Sequence, residues 1–380
     1  RMWIGKLASR EMPPLNIRLK AIAYDWNNDY ICMLNMKIVA DTNIPFLKGV
    51  LEPYAEVTYL DGRAIDRDAM TGADAIVIRT RTKCNEETLK GTKVKMIASA
   101  TIGTDHIDLQ WCSEHGIEVR NATGCNARAV ANYIFSAMYA VASRRAIKME
   151  DAVIGIIGVG NVGRKVEHMA RTLGLKVLLN DPPRAAVEGE QGFVSLDELL
   201  QNATIISLHT PLDSTTQGMC NDSFFEKVRP GAIFINASRG EVVDEAALLR
   251  ARPKLGAVVL DTWCNEPNVS QVLIDACDIA TPHIAGYSYQ GKQNGTAMAV
   301  QAVARHFGIK ELEFFRPNSE EETLRPVPIH VKDKTQGEIA AALQYNYPIF
   351  TDDFLFRVNP RNFEKLRSEY NYRREFYFEQ

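Results

Sequence analysis

From Met36 onward the chain alternates short apolar runs with amphipathic or polar stretches. The first series of runs is Lys37–Ala40, Glu56–Tyr59, Ala75–Ile78, Val94–Ala98 and Glu118–Arg120. The second is Val153–Ile157, Lys176–Leu179, Thr204–Leu208, Ala232–Asn236, Val258–Leu260 and Ile279–Ala280. Near-continuous apolar runs bounded by turn residues read as strands buried on both faces. Stretches such as Asn85–Leu89, Leu109–Glu114 and Arg164–Leu173 read as the helices between them. Strands alternating with helices predict an α/β fold with two doubly wound parallel-sheet lobes.

Two longer helical stretches organise the lobes. Asn126–Ser143 is rich in small residues, lies between the two series, and has Asn126 as a candidate N-cap. Gly291–Phe307 would return the chain to the first lobe, so that lobe is discontinuous and the cleft is expected between lobes. After Pro317 the pattern changes: Ser319–Glu322 is charged, Thr323–Val331 reads as a strand, and helical stretches lead to a basic, aromatic tail, Asn362–Gln380. This third module is too small to bury much core alone, and attachment to a partner subunit would solve the problem. The expected division is 36–125 plus 287–310 for one lobe, 126–286 for the other, and 318–380 for the module. Residues 1–35 show no period and no secretory pattern, and are expected to be a dispensable leader or a short capping element.

Length and composition narrow the class. The chain has 380 residues, enough for two or three domains. It is 46% hydrophobic and 24% charged, as in globular proteins, and its net charge of −3 predicts no attraction to nucleic acid or membrane. No apolar run approaches the ~18 residues of a membrane span. The seven cysteines are scattered and never in C-x-x-C spacing, which fits free thiols in a cytoplasmic protein without a metal site.

Candidate chemistry begins at Gly158, Gly160 and Gly163, a G-x-G-x-x-G set between the strand Val153–Ile157 and a helix. A second strand then ends at Asp181, an acid 18 residues past the last glycine. The arrangement is that of a dinucleotide site. Gly158 permits the tight turn, Gly160 lets a pyrophosphate approach the backbone, and Gly163 lets helix and strand pack closely. The helix N-terminus offers N–H groups to the phosphates. Asp181 can accept from both ribose hydroxyls and would repel a 2′-phosphate, which favours NAD over NADP.

Polar segments follow three strands of the second series: Asn236–Gly240, Asp261–Pro267 and Thr281–Tyr287. Ligands bind at the carboxyl ends of parallel strands, so Arg239, Glu266 and His283 could converge on one site. Together they suit hydride transfer at a 2-hydroxy acid. His283 would take the hydroxyl proton. Glu266 would fix the imidazole tautomer and stabilise the imidazolium. Arg239 would offer a planar fork to the substrate carboxylate. Each residue also has a structural reading: a histidine after a strand, a turn acid before Pro267, a surface cation beside Gly240.

With these motifs the chain resembles the NAD-dependent D-isomer-specific 2-hydroxyacid dehydrogenases from about Met36 to Phe307. The resemblance rests on the glycine loop, Arg239-Gly240, Glu266-Pro267 and His283, and on Ala100–Asp108, Gly124–Ala127, Asn180–Arg184 and His283–Ser288. It implies a flavodoxin-like substrate lobe, a Rossmann NAD lobe, and a C-terminal α+β dimerisation module in a homodimer. It also implies that Arg239, Glu266 and His283 are catalytic. Asp181, Thr210, Ala237, Ser238, Arg239, Asp261 and Gly286 would contact NAD. Thr80, Thr101 and Tyr287 would contact a phosphorylated 2-hydroxy acid. Arg79–Lys83, or cations such as Arg357 and Arg361, could meet its phosphate. The chain departs from the family pattern at Cys264-Asn265, where an acid and a glycine are more usual. Glycerate, lactate and 3-phosphoglycerate remain open as substrates on the residues alone, as does a non-catalytic NAD-sensing protein of the same fold.

Overall fold

The computed structural model describes residues 36–317 and 325–380. The leader expected over 1–35 and the charged stretch 319–322 lie outside them. The described residues fall into two compact units. Of the described residues, the first contains those from Met36 to Ser99, Gly103–Arg120 and Ala299–Glu313; the second contains Ala100–Ile102, Asn121–Met298 and those described from Phe314 onward.

The first unit is built on β1 (Lys37–Asp41), β2 (Glu56–Leu60), β3 (Ala75–Ile78), β4 (Met96–Ser99) and β5 (Glu118–Asn121). Their order is β2-β1-β3-β4-β5, the flavodoxin-like order. Every residue of β3 and β4 is buried, as the unbroken apolar runs require.

The second unit carries β6 (Val153–Ile157), β7 (Lys176–Asn180), β8 (Ile205–Leu208), β9 (Ile233–Asn236), β10 (Ala257–Leu260) and β11 (Ile279–Ala280). The order is β11-β10-β9-β8-β6-β7, with all neighbours parallel. The chain reverses direction across the sheet at β6, so the segment after β6 opens at a topological switch point, where doubly wound sheets bind ligands.

Helix α1 (Ala127–Arg145) is buried at every position from Ala127 to Ala142 except Arg128. Asn126 occupies its N-cap position, but its side chain does not cap. That side chain instead fills the space beside Gly286 and Gly291, where any Cβ would overlap it. Helix α2 (Asn161–Thr172) begins at Asn161 rather than at Arg164. The glycine motif itself forms its first turn, and glycine there hides the helix from propensity. Helix α3 (Pro182–Glu188) has a proline in its first turn and Asp181 as its N-cap. Helix α4 (Tyr289–Phe307) starts two residues before the expected Gly291.

The C-terminal module pairs β12 (Val327–His330) in parallel with β13 (Phe376–Glu379). Between them lie α5 (Gln336–Asn346), α6 (Ile349–Val358) and α7 (Phe363–Ser368). The small core problem is solved within the chain. Ile339, Leu343, Ile349 and Phe376 join the core around α1, while Phe356 and Phe363 join the core that holds Trp263. Full burial of each such side chain contributes about 1.5–3 kcal/mol, which the module could not obtain alone. Polar contacts fix the docking: Asn132 donates to the Phe376 carbonyl and accepts from its N–H, both at 2.9 Å. Asp353 accepts from Ala280 N–H at 2.7 Å.

Candidate active site

The glycine turn after β6 has the geometry its residues predict. Gly158 adopts φ +86°, and a Cβ there would lie 2.7 Å from the His209 carbonyl oxygen. A Cβ on Gly163 would overlap the Gly158 carbonyl oxygen. Gly160 differs, because a Cβ there would meet nothing within 4 Å. The backbone there is open to a group approaching from outside. Gly160 is also the N-cap of α2, where no side chain caps the helix. Its first N–H groups are therefore available to an anion.

Asp181 faces this turn. One carboxylate oxygen accepts from Val159 N–H at 2.7 Å and the other from Arg184 N–H at 3.0 Å. Arg184 is the cation nearest in sequence that could welcome a 2′-phosphate. It is engaged by both oxygens of Glu188, at 2.8 and 2.6 Å.

Three loops at the carboxyl ends of adjacent strands carry the expected trio. After β9, Asn236 accepts from Ser238 N–H at 3.0 Å and donates to the Arg239 carbonyl at 2.8 Å, which rigidifies the turn bearing Arg239. Gly240 follows, and a Cβ there would overlap the Trp263 carbonyl carbon and Cys264 nitrogen. The Arg239 loop and the Glu266 loop are therefore packed backbone to backbone. Glu266 reaches across to His283: its two oxygens lie 2.8 and 3.0 Å from Nδ1. Burial works to raise the Glu266 pKa, but the His283 contact, the nearby Arg367 charge and the Trp263 N–H together hold it below the usual carboxylate range. With Nδ1 committed to Glu266, Nε2 is the nitrogen left to exchange a proton.

Asp261, fully buried, shapes the loop that presents His283. Its carboxylate accepts from the Thr281 hydroxyl at 2.7 Å, Ile284 N–H at 2.8 Å and Ala285 N–H at 2.9 Å. Its own carbonyl accepts from His283 N–H at 2.7 Å. His283 is held at φ +56°, a conformation uncommon for a non-glycine residue and sustained here by those bonds. Burial dominates its titration and raises the Asp261 pKa above that of an ordinary aspartate. Both departures in the Glu266 loop have a local explanation. Asn265 sits at φ +61°, which asparagine tolerates better than most side chains. Cys264 N–H donates to the Glu245 carboxylate at 2.8 Å, which braces the loop at the other.

Comparison with known proteins places this geometry. The profile of the D-isomer specific 2-hydroxyacid dehydrogenase NAD binding domain matches residues 126–285. An erythronate-4-phosphate dehydrogenase of Bacteroides fragilis is 40% identical over 347 residues, covering 90% of this chain and 97% of that protein. The chain belongs to the D-isomer specific 2-hydroxyacid dehydrogenase family. An erythronate-4-phosphate dehydrogenase of Yersinia pestis is 39% identical over 356 residues, covering 90% of this chain and 93% of its own. Among solved structures, an NAD-bound 3-phosphoglycerate dehydrogenase of Entamoeba histolytica superposes with a TM-score of 0.62 at 27% identity. It covers 75% of this chain and 99% of its own. A D-lactate dehydrogenase of Aquifex aeolicus with NAD and lactic acid has a TM-score of 0.61 at 26% identity, covering 73% and 97%.

This dehydrogenase uses NAD, and its residues fit the cofactor. The open space at Gly160, the uncapped start of α2 and the oriented Asp181 suit a pyrophosphate and an adenosine ribose. Thr210 Oγ1 and Thr262 Oγ1 are buried without a hydrogen-bond partner among the described residues. Such orphaned hydroxyls are expected where a ligand completes the site. Thr262, unlike Thr210, was not legible as a candidate, because a threonine between a strand and a tryptophan carries no distinguishing signal.

The residues expected at the substrate divide between the units. Thr101 and Tyr287 belong to the second, with His283. Ala122 N–H donates to the Thr101 carbonyl at 3.1 Å, and Asn121 donates to the Ile102 carbonyl at 2.6 Å, bracing the turn. Thr80 lies on the first unit beside Arg79, whose guanidinium is bound by the buried Asp41 at 2.9 Å. Arg357 is likewise taken: it pairs with Asp353 at 2.8 Å and donates to the Ile274 and Cys277 carbonyls. The residue missed most completely is Arg367 on α7, whose charge acts on Glu266 and Asp261.

Proposed function

We propose that this chain oxidises 4-phospho-D-erythronate to 2-oxo-3-hydroxy-4-phosphobutanoate with NAD, a step of pyridoxal 5′-phosphate biosynthesis. The observation that carries the chemistry is the bracketing of His283 Nδ1 by the Glu266 carboxylate, at the end of the nucleotide sheet. The substrate assignment follows the two relatives at about 40% identity, which are named for erythronate 4-phosphate.

His283 Nε2 takes the C2 hydroxyl proton. Glu266 holds the ring in one tautomer and stabilises the imidazolium that forms. Arg239 binds the C1 carboxylate and polarises the C2 oxygen. Bound NAD supplies the acceptor for the hydride leaving C2. Gly158, Gly160, Gly163, Asp181, Thr210, Ala237, Ser238, Arg239 and Gly286 line the cofactor's path. Asp261 acts there through the loop it clamps. Thr101 and Tyr287 contact the substrate, joined by Thr80 on the family pattern.

On this reading residues 36–125 and 287–310 make the substrate domain, 126–286 the NAD domain, and 318–380 a dimerisation module. Phe354, Leu355 and Val358 of α6 remain exposed, and a second copy of the chain covers them in a cytoplasmic homodimer. No helix among the described residues is long and apolar enough to cross a membrane.

The test is NADH formation by the purified chain with 4-phosphoerythronate, erythronate, glycerate, lactate and 3-phosphoglycerate, with the 2-oxo product removed. The highest kcat/KM belongs to 4-phosphoerythronate. A higher value for another acid would move the assignment to that substrate. Tight NAD binding without turnover of any would make the chain a nucleotide sensor.

A further inference from the structure

The substrate proposed above has two anionic ends on either side of its reacting carbon. Arg239 serves the carboxylate. The phosphate needs a second set of cations. Two expected ones are already engaged, Arg79 by Asp41 and Arg357 by Asp353, and so is Arg373, by both oxygens of Asp352 at 2.8 and 2.9 Å.

Arg367 is different. Its side chain is only 17% exposed, and its ion pair with Glu364 is long, at 4.0 Å. Its Nε is buried with no hydrogen-bond partner among the described residues. A buried donor left without an acceptor is costly, and more so on a charged group. Its guanidinium carbon lies 5.9 Å from the centre of the Tyr287 ring. Lys292 Nζ approaches the same ring at 4.0 Å. Tyr287 is on the loop that presents His283, four residues on. Two cations thus converge on one tyrosine beside the proton-transfer pair, and Arg367 is close enough to favour ionised Glu266.

We infer that Arg367, Lys292 and Tyr287 form the subsite that receives the substrate's phosphate, with the unpartnered Arg367 Nε–H donating to a phosphate oxygen. The inference rests on the proposed phosphorylated substrate. A guanidinium offers a planar fork to phosphate oxygens, Lys292 adds a point charge, and the tyrosine hydroxyl can complete the shell. The C-terminal module then does more than dock: it contributes substrate specificity to the nucleotide unit.

The readout is the ratio of kcat/KM for 4-phosphoerythronate to that for erythronate, measured on the full chain. Loss of charge-assisted hydrogen bonds to the phosphate should lower this ratio by about 10–10²-fold in Arg367→Gln. Arg367→Lys should retain part of it. If Arg367 served only to support Glu266 or the fold, both substrates would lose equally and the ratio would stand unchanged, which overturns the inference. Should Arg367→Gln fail to fold, Lys292→Met reports the same ratio with the same two outcomes. A wild-type ratio near one would instead sink the substrate assignment, and so is separable from failure of the subsite.

Discussion

Replacing Glu266 by glutamine keeps the shape of the active-site loop and removes one charge. In the structure that charge lies 2.8 and 3.0 Å from His283 Nδ1, with the two side chains 21% and 30% exposed. Two unit charges about 4 Å apart at an effective dielectric of 20 attract by about 4 kcal/mol, which is a ceiling for a pair open to solvent. A hydrogen bond to a charged group is worth about 1.5–3 kcal/mol, against about 1 for a neutral one. The glutamine carbonyl can still accept from Nδ1–H, so the net loss to the imidazolium is about 1–2 kcal/mol. That corresponds to roughly 5–30-fold in kcat/KM. Removing the imidazole itself, in His283→Ala, should cost more, about 10²–10⁴-fold, the usual worth of a general base. Initial rates of NADH formation with 4-phosphoerythronate at saturating NAD measure both, and calorimetric titration gives NAD affinity alongside. If Glu266→Gln turns over within twofold of wild type, Glu266 does not stabilise the charged ring. If its NAD affinity falls as far as its turnover, the residue shapes the loop and does not act on the proton.

Gly163→Ala forces the new methyl onto the Gly158 carbonyl oxygen. An overpacking cost of about 1–3 kcal/mol should weaken NAD binding about tenfold or more and lower Tm; unchanged values of both would show that α2 can shift freely. Asp181→Ser retains a capping hydroxyl for α3 while removing the carboxylate. The relative use of NADP should rise roughly 10–10²-fold as like-charge repulsion disappears, and a constant NAD-to-NADP ratio would assign discrimination elsewhere. Burial pushes His209, just past β8, down to about 3. The unfolded chain takes a proton near about 6.5. Stability from this residue is therefore complete above that value and lost as the pH falls towards about 3. His209→Gln should flatten the acid limb of denaturant midpoints against pH, whereas parallel limbs would place the acid sensitivity in other groups.

Both sheets were legible because parallel strands are buried on two faces, so their residues form unbroken apolar runs such as Ala75–Ile78 and Ile233–Ile235. The glycine loop was legible because three glycines at fixed spacing between a strand and a helix form a pattern that is local in the sequence. The meeting of Glu266 and His283 was legible because strand ends in such sheets lie at one edge, which makes position in the sequence a proxy for position in space.

What tertiary structure alone decided is who touches whom across long separations. Asn126 reads as a helix cap, yet its side chain serves Gly286 and Gly291, because two glycines far along the chain leave a space that only folding brings beside it. Asp261 reads as a ligand contact; its hold on the His283 loop is a separate fact that folding supplies, because three donors from residues 281–285 converge once β10 and β11 pair. The C-terminal module reads as needing a partner, yet Phe356 and Phe363 find their core beneath Trp263. Arg367 comes with them, and no local pattern could announce it. Periodicity records how a segment meets its immediate neighbours in the chain; the burial of a charge is settled by packing among segments that the sequence keeps apart.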